Sequence, residues 1–333
     1  MHKFYFDKNI NINWFILLGL LLHIVASYFT IGYFNEDEHF QVIAPLEKLL
    51  NIENTLTWEF DSKIRPWIQP YFYYGIIKSI DFLNINNPFT LSFILRLISS
   101  LIGYFSIIVL YNHLKVKLNL DNNFSKLLIF SFWFYAFLHA RTSSENLSIS
   151  MLLLGFVLFD KFISFENQKN KFFVAILSGF FLGLSIILKF QTIISIFFIF
   201  VWFLFFRLKL KKLKYIFANS SLILLTLFLG LVFDYYGYGS FNNTYYKYYY
   251  ANFVTKWFES FGIDPWWYYL KILIEQFFPP INILILISII FFWIKNLKNI
   301  LTFLTLPVII TLSILSHKEL RFIFPVLIFS PFF

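Results

Sequence analysis

Long apolar blocks separated by short polar connections are the first pattern along this chain. They run over 14–34, 92–111, 124–140, 147–163, 172–188, 192–206, 215–233, 271–294 and 299–315, and a tenth opens at Phe322 and is still apolar at Phe333. Blocks of this length with few charges predict membrane-crossing helices rather than the interior of a large soluble core. The first is too long for a signal-peptide core and lacks a small-residue cleavage site, so it reads as a retained helix. The stretch 66–91, rich in Trp, Tyr and Pro, reads as an interfacial helix lying along the membrane surface. The end inside an apolar block suggests a fragment or a short member of its kind.

Composition agrees with the pattern. Hydrophobic residues make up 59% of the 333 and charged residues only 14%, with mean hydropathy +0.70. The net charge of +9 does not point to nucleic acid, because the basic residues sit in short loops between apolar blocks. Lys3, Lys8, Lys115, Lys117, Lys126, Lys161, Lys169, Lys171, Arg207, Lys209, Lys211, Lys212, Lys214, Lys295 and Lys298 share alternate loops with only Asp7, Asp121, Asp160 and Glu166. The positive-inside rule makes that set cytoplasmic. The opposite loops, 35–91, 139–146, 188–191, 234–270 and 316–321, carry a slight acidic excess and hold every unusual polar cluster. Cysteine is absent, which excludes disulfides, thiol nucleophiles and cysteine-ligated zinc. There is neither a Walker motif nor a nucleotide-binding glycine loop, which argues against a soluble nucleotide-sugar donor. No transporter-like inverted repeat is visible.

Three consecutive carboxylates, Glu36, Asp37 and Glu38, follow the first block directly. Adjacent carboxylates in a water-poor pocket repel one another, which turns one of them into a usable base near neutral pH. A solvated, topology-setting turn would give the same residues. Trp58-Glu59 with Arg65 fits a sugar-stacking platform beside a phosphate-binding arginine, or an aromatic belt with snorkelling charges. In the hairpin 139–146, Arg141 and Glu145 are spaced to pair across the turn. Lys189, in a very short connection, reads first as snorkelling. Asp234, Asn252 and Trp266 stand in an aromatic-rich loop suited to a carbohydrate or lipid headgroup. His317, Lys318 and Arg321 gather cationic side chains on the face where the charge rule disfavours them, and an anion such as phosphate would explain them. A carboxylate base and a cation cluster on one face are what transfer of a sugar from a lipid phosphate requires. A flippase or transporter is the reading from another class, and predicts ionisable residues lining a mid-membrane pathway.

The motifs, in order, resemble glycosyltransferase family 22, the dolichyl-phosphate-mannose-dependent α-mannosyltransferases of GPI-anchor and N-glycan assembly. Asn35-Glu36-Asp37-Glu38-His39-Phe40-Gln41 with Pro45 is similar to the family's His-Pro-Asp-Glu-x-Phe-Gln signature. Thr57-Trp58-Glu59 with Arg65, Arg141-Thr142-x-Ser144, the loop from Asp234 through Asn252-Phe253 to Asp264-Pro265-Trp266, and Ser316-His317-Lys318-Glu319-x-Arg321-Phe322 resemble its later elements. Asn35 and Glu36 depart from the usual His and Pro, and Glu145-Asn146 from the usual order of the hairpin.

The resemblance implies an all-α polytopic bundle of the GT-C type, one transmembrane domain over 1–333 with about ten spans and interfacial helices after the first. It also implies a site on the luminal or periplasmic face and inverting transfer of mannose from a polyprenyl (dolichyl) phosphate mannose to a glycan or glycolipid, with no metal or other cofactor. Another GT-C transferase using a lipid-phosphate sugar is the nearest rival. Asp37 takes the place of the catalytic acid, with Glu38 as its partner or an acceptor contact. Arg65, His317, Lys318 and Arg321 are expected to hold the donor phosphate. Trp58 and Trp266 would pack on sugar or prenyl chain, and Gln41, Glu59, Arg141, Asp234 and Asn252 complete the expected site. The membrane would be the endoplasmic reticulum in a eukaryote and the cytoplasmic membrane in a bacterium.

Overall fold

The computed structural model describes residues 14–52, 55–85, 87–164, 170–275 and 281–333. Lys3, Asp7, Lys8, Glu166 and Lys169 of the charge count lie outside the described residues. Those described form helices and turns with no strand among them. In chain order the helices are α1 (Trp14–Phe29), α2 (Glu36–Glu38), α3 (Ala44–Leu49), α4 (Trp58–Asp61), α5 (Ile68–Ile80), α6 (Pro88–Leu114), α7 (Asn123–Phe130), α8 (Trp133–His139) and α9 (Ser144–Ser164). They continue with α10 (Lys171–Leu188), α11 (Ile193–Phe206), α12 (Leu210–Tyr238), α13 (Thr244–Tyr249), α14 (Tyr268–Glu275), α15 (Ile281–Lys295), α16 (Ile300–Ile314) and α17 (Phe324–Leu327).

Among the described residues α6, α9, α10 and α12 are long and apolar enough to cross a membrane, and α1, α11, α15 and α16 are shorter apolar helices. The chain is thus a membrane-embedded helical protein. The block expected over 124–140 is broken in two at Ser131, whose side chain turns back to the Leu127 carbonyl (2.6 Å). The block from Phe322 is a succession of short turns punctuated by Pro325 and Pro331, because proline cannot donate into a continuing helix. At 13 residues, ~20 Å of helix, α5 is too short to span alone.

The centre of the molecule is α9, buried along nearly its whole length. Small residues let its neighbours close on it, as membrane helices with no water-driven attraction require. Gly155 packs on Leu182, and Gly179 and Gly183 of α10 pack on Asn219 and Thr226 of α12. Hydrogen bonds cross the same seams. Ser148 and Ser185 exchange hydroxyl-to-carbonyl bonds of 2.9 Å in both directions, Ser178 donates to Gly155 O (2.8 Å), and Asn219 donates to Ala175 O (2.9 Å). By contrast α12 buries only a stripe, leaving Leu224, Leu225, Phe228 and Leu229 exposed.

One end of this bundle is reached by the C-terminus of α1, the N-terminus of α9, the C-terminus of α10 and the segment after α16. Those four segments meet there and bring polar side chains with them, joined by contacts of Lys189 with Glu145 and of Arg321 with Glu145 and Asp37.

Candidate active site

The acidic stretch is fixed before its chemistry begins. Asn35 caps α2, its side chain accepting from the Asp37 N–H (2.9 Å). Upstream, two arginines close the end of α1. Arg96 donates to Thr30 O (2.5 Å) and Gly32 O (3.1 Å), and Arg141 donates to Gly32 O (3.2 Å). Cations at a helix C-terminus satisfy carbonyls that have no partner within the helix.

Consecutive residues on a helix point about 100° apart, and Asp37 and Glu38 part company accordingly. Glu38, 2% exposed, turns inward and accepts from the Thr142 N–H (2.7 Å), the Thr142 hydroxyl (2.9 Å) and the Phe34 N–H (3.4 Å). Burial pushes its carboxyl above the usual range while the Thr142 hydrogen bonds pull it back. It stitches the acidic turn to the 139–146 hairpin and does not line the cavity. Asp37, with a quarter of its side chain exposed, faces a cavity of about 730 Å³.

Arg321 organises the wall beside Asp37. Its Nη1 lies 2.5 Å from Asp37 Oδ2 and 3.6 Å from Glu145 Oε1. Its Nε and Nη2 donate to the two oxygens of Glu319 (2.5 and 2.9 Å). Such a two-pronged guanidinium–carboxylate contact fixes orientation as well as charge. His317 Nε2 stands 3.2 Å from Glu319. Burial alone would raise the Glu319 carboxyl, but His317 and Arg321 bring it down to about 2. The same hydrogen bond raises His317 above its ordinary value, against burial. On another wall Arg65 meets Glu59 at 2.5 Å and lies over the Tyr248 ring. Burial opposes its charge, and Glu59 more than restores it. Trp58 stacks on Trp257 (centroids 4.8 Å, 21° between planes), and both line the cavity with Asn252, whose amide donates to Tyr248 O (2.8 Å).

Seven of the expected residues therefore share one cavity: Asp37, Trp58, Glu59, Arg65, Asn252, His317 and Arg321. The others stand outside it. Asp234, fully buried, accepts from the Trp67 N–H (2.8 Å) and the Thr244 hydroxyl (2.6 Å). With Tyr238 bonding to Arg65 O (2.6 Å) and Asn242 to Lys63 O (2.8 Å), it clamps the Glu59–Arg65 segment to α12. Gly237 belongs to this clamp, since a Cβ there would collide with the Trp67 ring. Lys318 turns away from the expected phosphate contact. Its ammonium donates to Asp264 O (2.8 Å) and to Leu315 O, stapling the 262–265 loop to the end of α16. Trp266, 70% exposed, borders a separate apolar cavity between α14, α15 and α16. Gln41 is buried away from the cavity, and Arg141 braces α1.

Residues outside the expected set also line the cavity, among them Lys189, Glu319 and Trp257. Glu145 does not pair with Arg141; its Oε1 lies 2.7 Å from the ammonium of Lys189, which lines the cavity. The signal was a lone lysine in the short connection between two apolar blocks, Leu188-Lys189-Phe190.

The arrangement defines a membrane-embedded helical protein with a polar cavity at one end, furnished with an accessible carboxylate, oriented cations and stacked indoles. The chain belongs to the Alg9-like mannosyltransferase family, whose model matches residues 14–333. It is 25% identical over 313 residues to "GPI mannosyltransferase 3" of Candida albicans, covering 91% of this chain and 59% of that protein. It is 26% identical to "Mannosyltransferase APTG1" of Arabidopsis thaliana (93% and 56%) and 23% identical to "GPI alpha-1,2-mannosyltransferase 3" of Homo sapiens (96% and 56%). The chain thus spans a little over half the length of these curated relatives. No solved structure matches it.

Proposed function

We propose that this chain transfers mannose, with inversion, from a polyprenyl (dolichyl) phosphate mannose to a hydroxyl of a glycan or glycolipid. The observation that carries the reading is Asp37, open to a polar cavity and in direct contact with Arg321, in a chain of a mannosyltransferase family. Asp37 takes the proton of the acceptor hydroxyl as that oxygen attacks C1 of the mannose from the side opposite the phosphate. The C1–O bond to phosphate breaks, and its electron pair leaves with the lipid phosphate. Arg321, Arg65 and protonated His317 take up the charge that develops there. Arg321 grips Glu319 with two nitrogens and Asp37 with one, so an arriving phosphate displaces Asp37 more readily than Glu319 and frees the base at the moment it is needed.

Glu38 positions the turn that presents Asp37, and Trp58 with Trp257 offers a flat face to a sugar ring. About ten membrane passages would put the cavity on the luminal or periplasmic face, in the endoplasmic reticulum of a eukaryote or the cytoplasmic membrane of a bacterium. The GPI mannosyltransferases among the relatives make GPI-type glycolipids the first acceptors to try.

The test is transfer by the purified protein in liposomes, supplied with radiolabelled polyprenyl phosphate mannose and a panel of glycolipid and glycan acceptors. A new α-linked mannose on one acceptor is expected. Transfer from GDP-mannose in place of the lipid donor, or no product with any acceptor, would contradict the reading.

A further inference from the structure

We propose that Lys189 is a ligand of the donor phosphate, and that Glu145 is the positioning residue that sets Lys189 beside Arg321 on the cavity wall. This rests on the transfer reading above only in taking the anion to be the phosphate of a lipid.

The backbone delivers the side chain. Lys189 interrupts the helix between α10 and the turn that opens α11, in extended conformation (φ −149°, ψ 106°). Its N–H donates to Ser185 O (3.1 Å), and its carbonyl accepts from the N–H and hydroxyl of Thr192 (3.1 and 3.0 Å). Held on both sides, a residue that a snorkelling reading would send toward the membrane surface is only 6% exposed and lines the polar cavity.

The charges are arranged around one oxygen. Glu145 Oε1 lies 2.7 Å from Lys189 Nζ and 3.6 Å from Arg321 Nη1, so the two cations are close enough for a single phosphate to touch both. Glu145 sits in the first turn of α9, where the helix dipole favours a carboxylate. An ammonium has three donors, and Glu145 uses one side of it. Stability alone gives little reason for such a pair. Taking two charges out of water costs about as much as their attraction returns, and apolar residues of the same volume often do better. A pair whose ammonium lines a cavity, rather than lying in the packed core, is placed to meet an anion.

Binding of citronellyl phosphate to the whole chain in detergent, measured by titration calorimetry, separates the possibilities. Citronellol and inorganic phosphate serve as controls for the tail and for the free anion. The wild type is expected to bind citronellyl phosphate and not citronellol, and Lys189→Gln to bind it at least about tenfold more weakly, the scale of one charge-assisted hydrogen bond. In transfer assays the donor KM should rise by a similar factor while the acceptor KM stays put. Lys189→Arg should recover part of the affinity. The pair Glu145→Gln/Lys189→Met removes both charges together and leaves neither unpaired, so it should melt like the wild type and still show the loss.

Wild-type affinity in that double variant would make the pair structural and overturn the inference. Inorganic phosphate bound as tightly as citronellyl phosphate would overturn the assignment to a lipid donor. A Lys189-dependent lipid-phosphate site in a protein that transfers no mannose would uphold Lys189 as a lipid-phosphate ligand and sink the proposed function. Transfer with donor affinity indifferent to Lys189 would do the reverse.

Discussion

Glu145 and Asp160 stand on the same helix, α9, fifteen positions and ~22 Å apart. Both are buried and both meet cations. Asp160 is closed off. Its oxygens accept from His113 (2.7 Å) and Ser164 (2.7 Å) and meet the Lys117 ammonium, so it ties α6 to α9 with nothing left over. Glu145 is bound less completely. It holds Lys189, touches Arg321, and through Arg321 reaches Asp37 at the edge of an open cavity. A buried carboxylate with a counter-ion is therefore not in itself the mark of a site. What separates the two ends of α9 is the open cavity that Lys189 and Arg321 line.

That contrast can be broken most sharply at Arg321. Arg321→Lys keeps a charge but loses the two-pronged grip on Glu319, and initial rates of mannose transfer should fall by about 10²-fold, the scale of losing an oriented donor to a developing anion. A rate close to wild type would mean that charge alone suffices. At the other end, Asp160→Asn leaves His113 and Lys117 without their shared partner. It should cost roughly 3 kcal/mol of stability, read from the unfolding midpoint, with transfer per folded molecule unchanged.

A pH profile sharpens the same comparison. The Glu319 hydrogen bond holds the His317 proton to higher pH than an ordinary histidine. The imidazolium, which the proposed transfer uses at the phosphate, is present below that raised value and lost as pH climbs through it. Donor kcat/KM should therefore decline on the alkaline side, and His317→Gln should flatten that limb at a lower plateau. Glu319, held at about 2, stays ionised throughout. The smallest effect is expected at the aromatic stack. Trp257→Ala should raise the acceptor KM by about three- to tenfold, the worth of one ring contact, and leave the donor KM alone; an equal change in both would assign the stack to the donor.

Much of this was legible in the residues. The apolar blocks foretold a helical membrane protein, and the order of motifs brought Asp37 and Arg321 to one face although nearly the whole chain separates them. Which side chains look into the cavity was not legible. Asp37 and Glu38 are neighbours in sequence, yet one helical step sends the first to the cavity and the second to Thr142. His317, Lys318 and Arg321 form one basic run, and the backbone after α16 turns only Lys318 aside. Asp234 and Trp266 are separated from the site by tertiary contacts that no local pattern encodes. Lys189 was misjudged for the opposite reason, because a single lysine between apolar blocks has an ordinary explanation until its partner is seen.

The most direct measurement compares Asp37→Asn with Asp160→Asn, each reconstituted in liposomes at equal folded amounts and given radiolabelled polyprenyl phosphate mannose and acceptor. Loss of a general base costs about 10²- to 10⁴-fold. Asp37→Asn should lose transfer on that scale while Asp160→Asn keeps most of it. Substantial transfer by the Asp37 variant, or equal loss in both, would contradict a site built around Asp37.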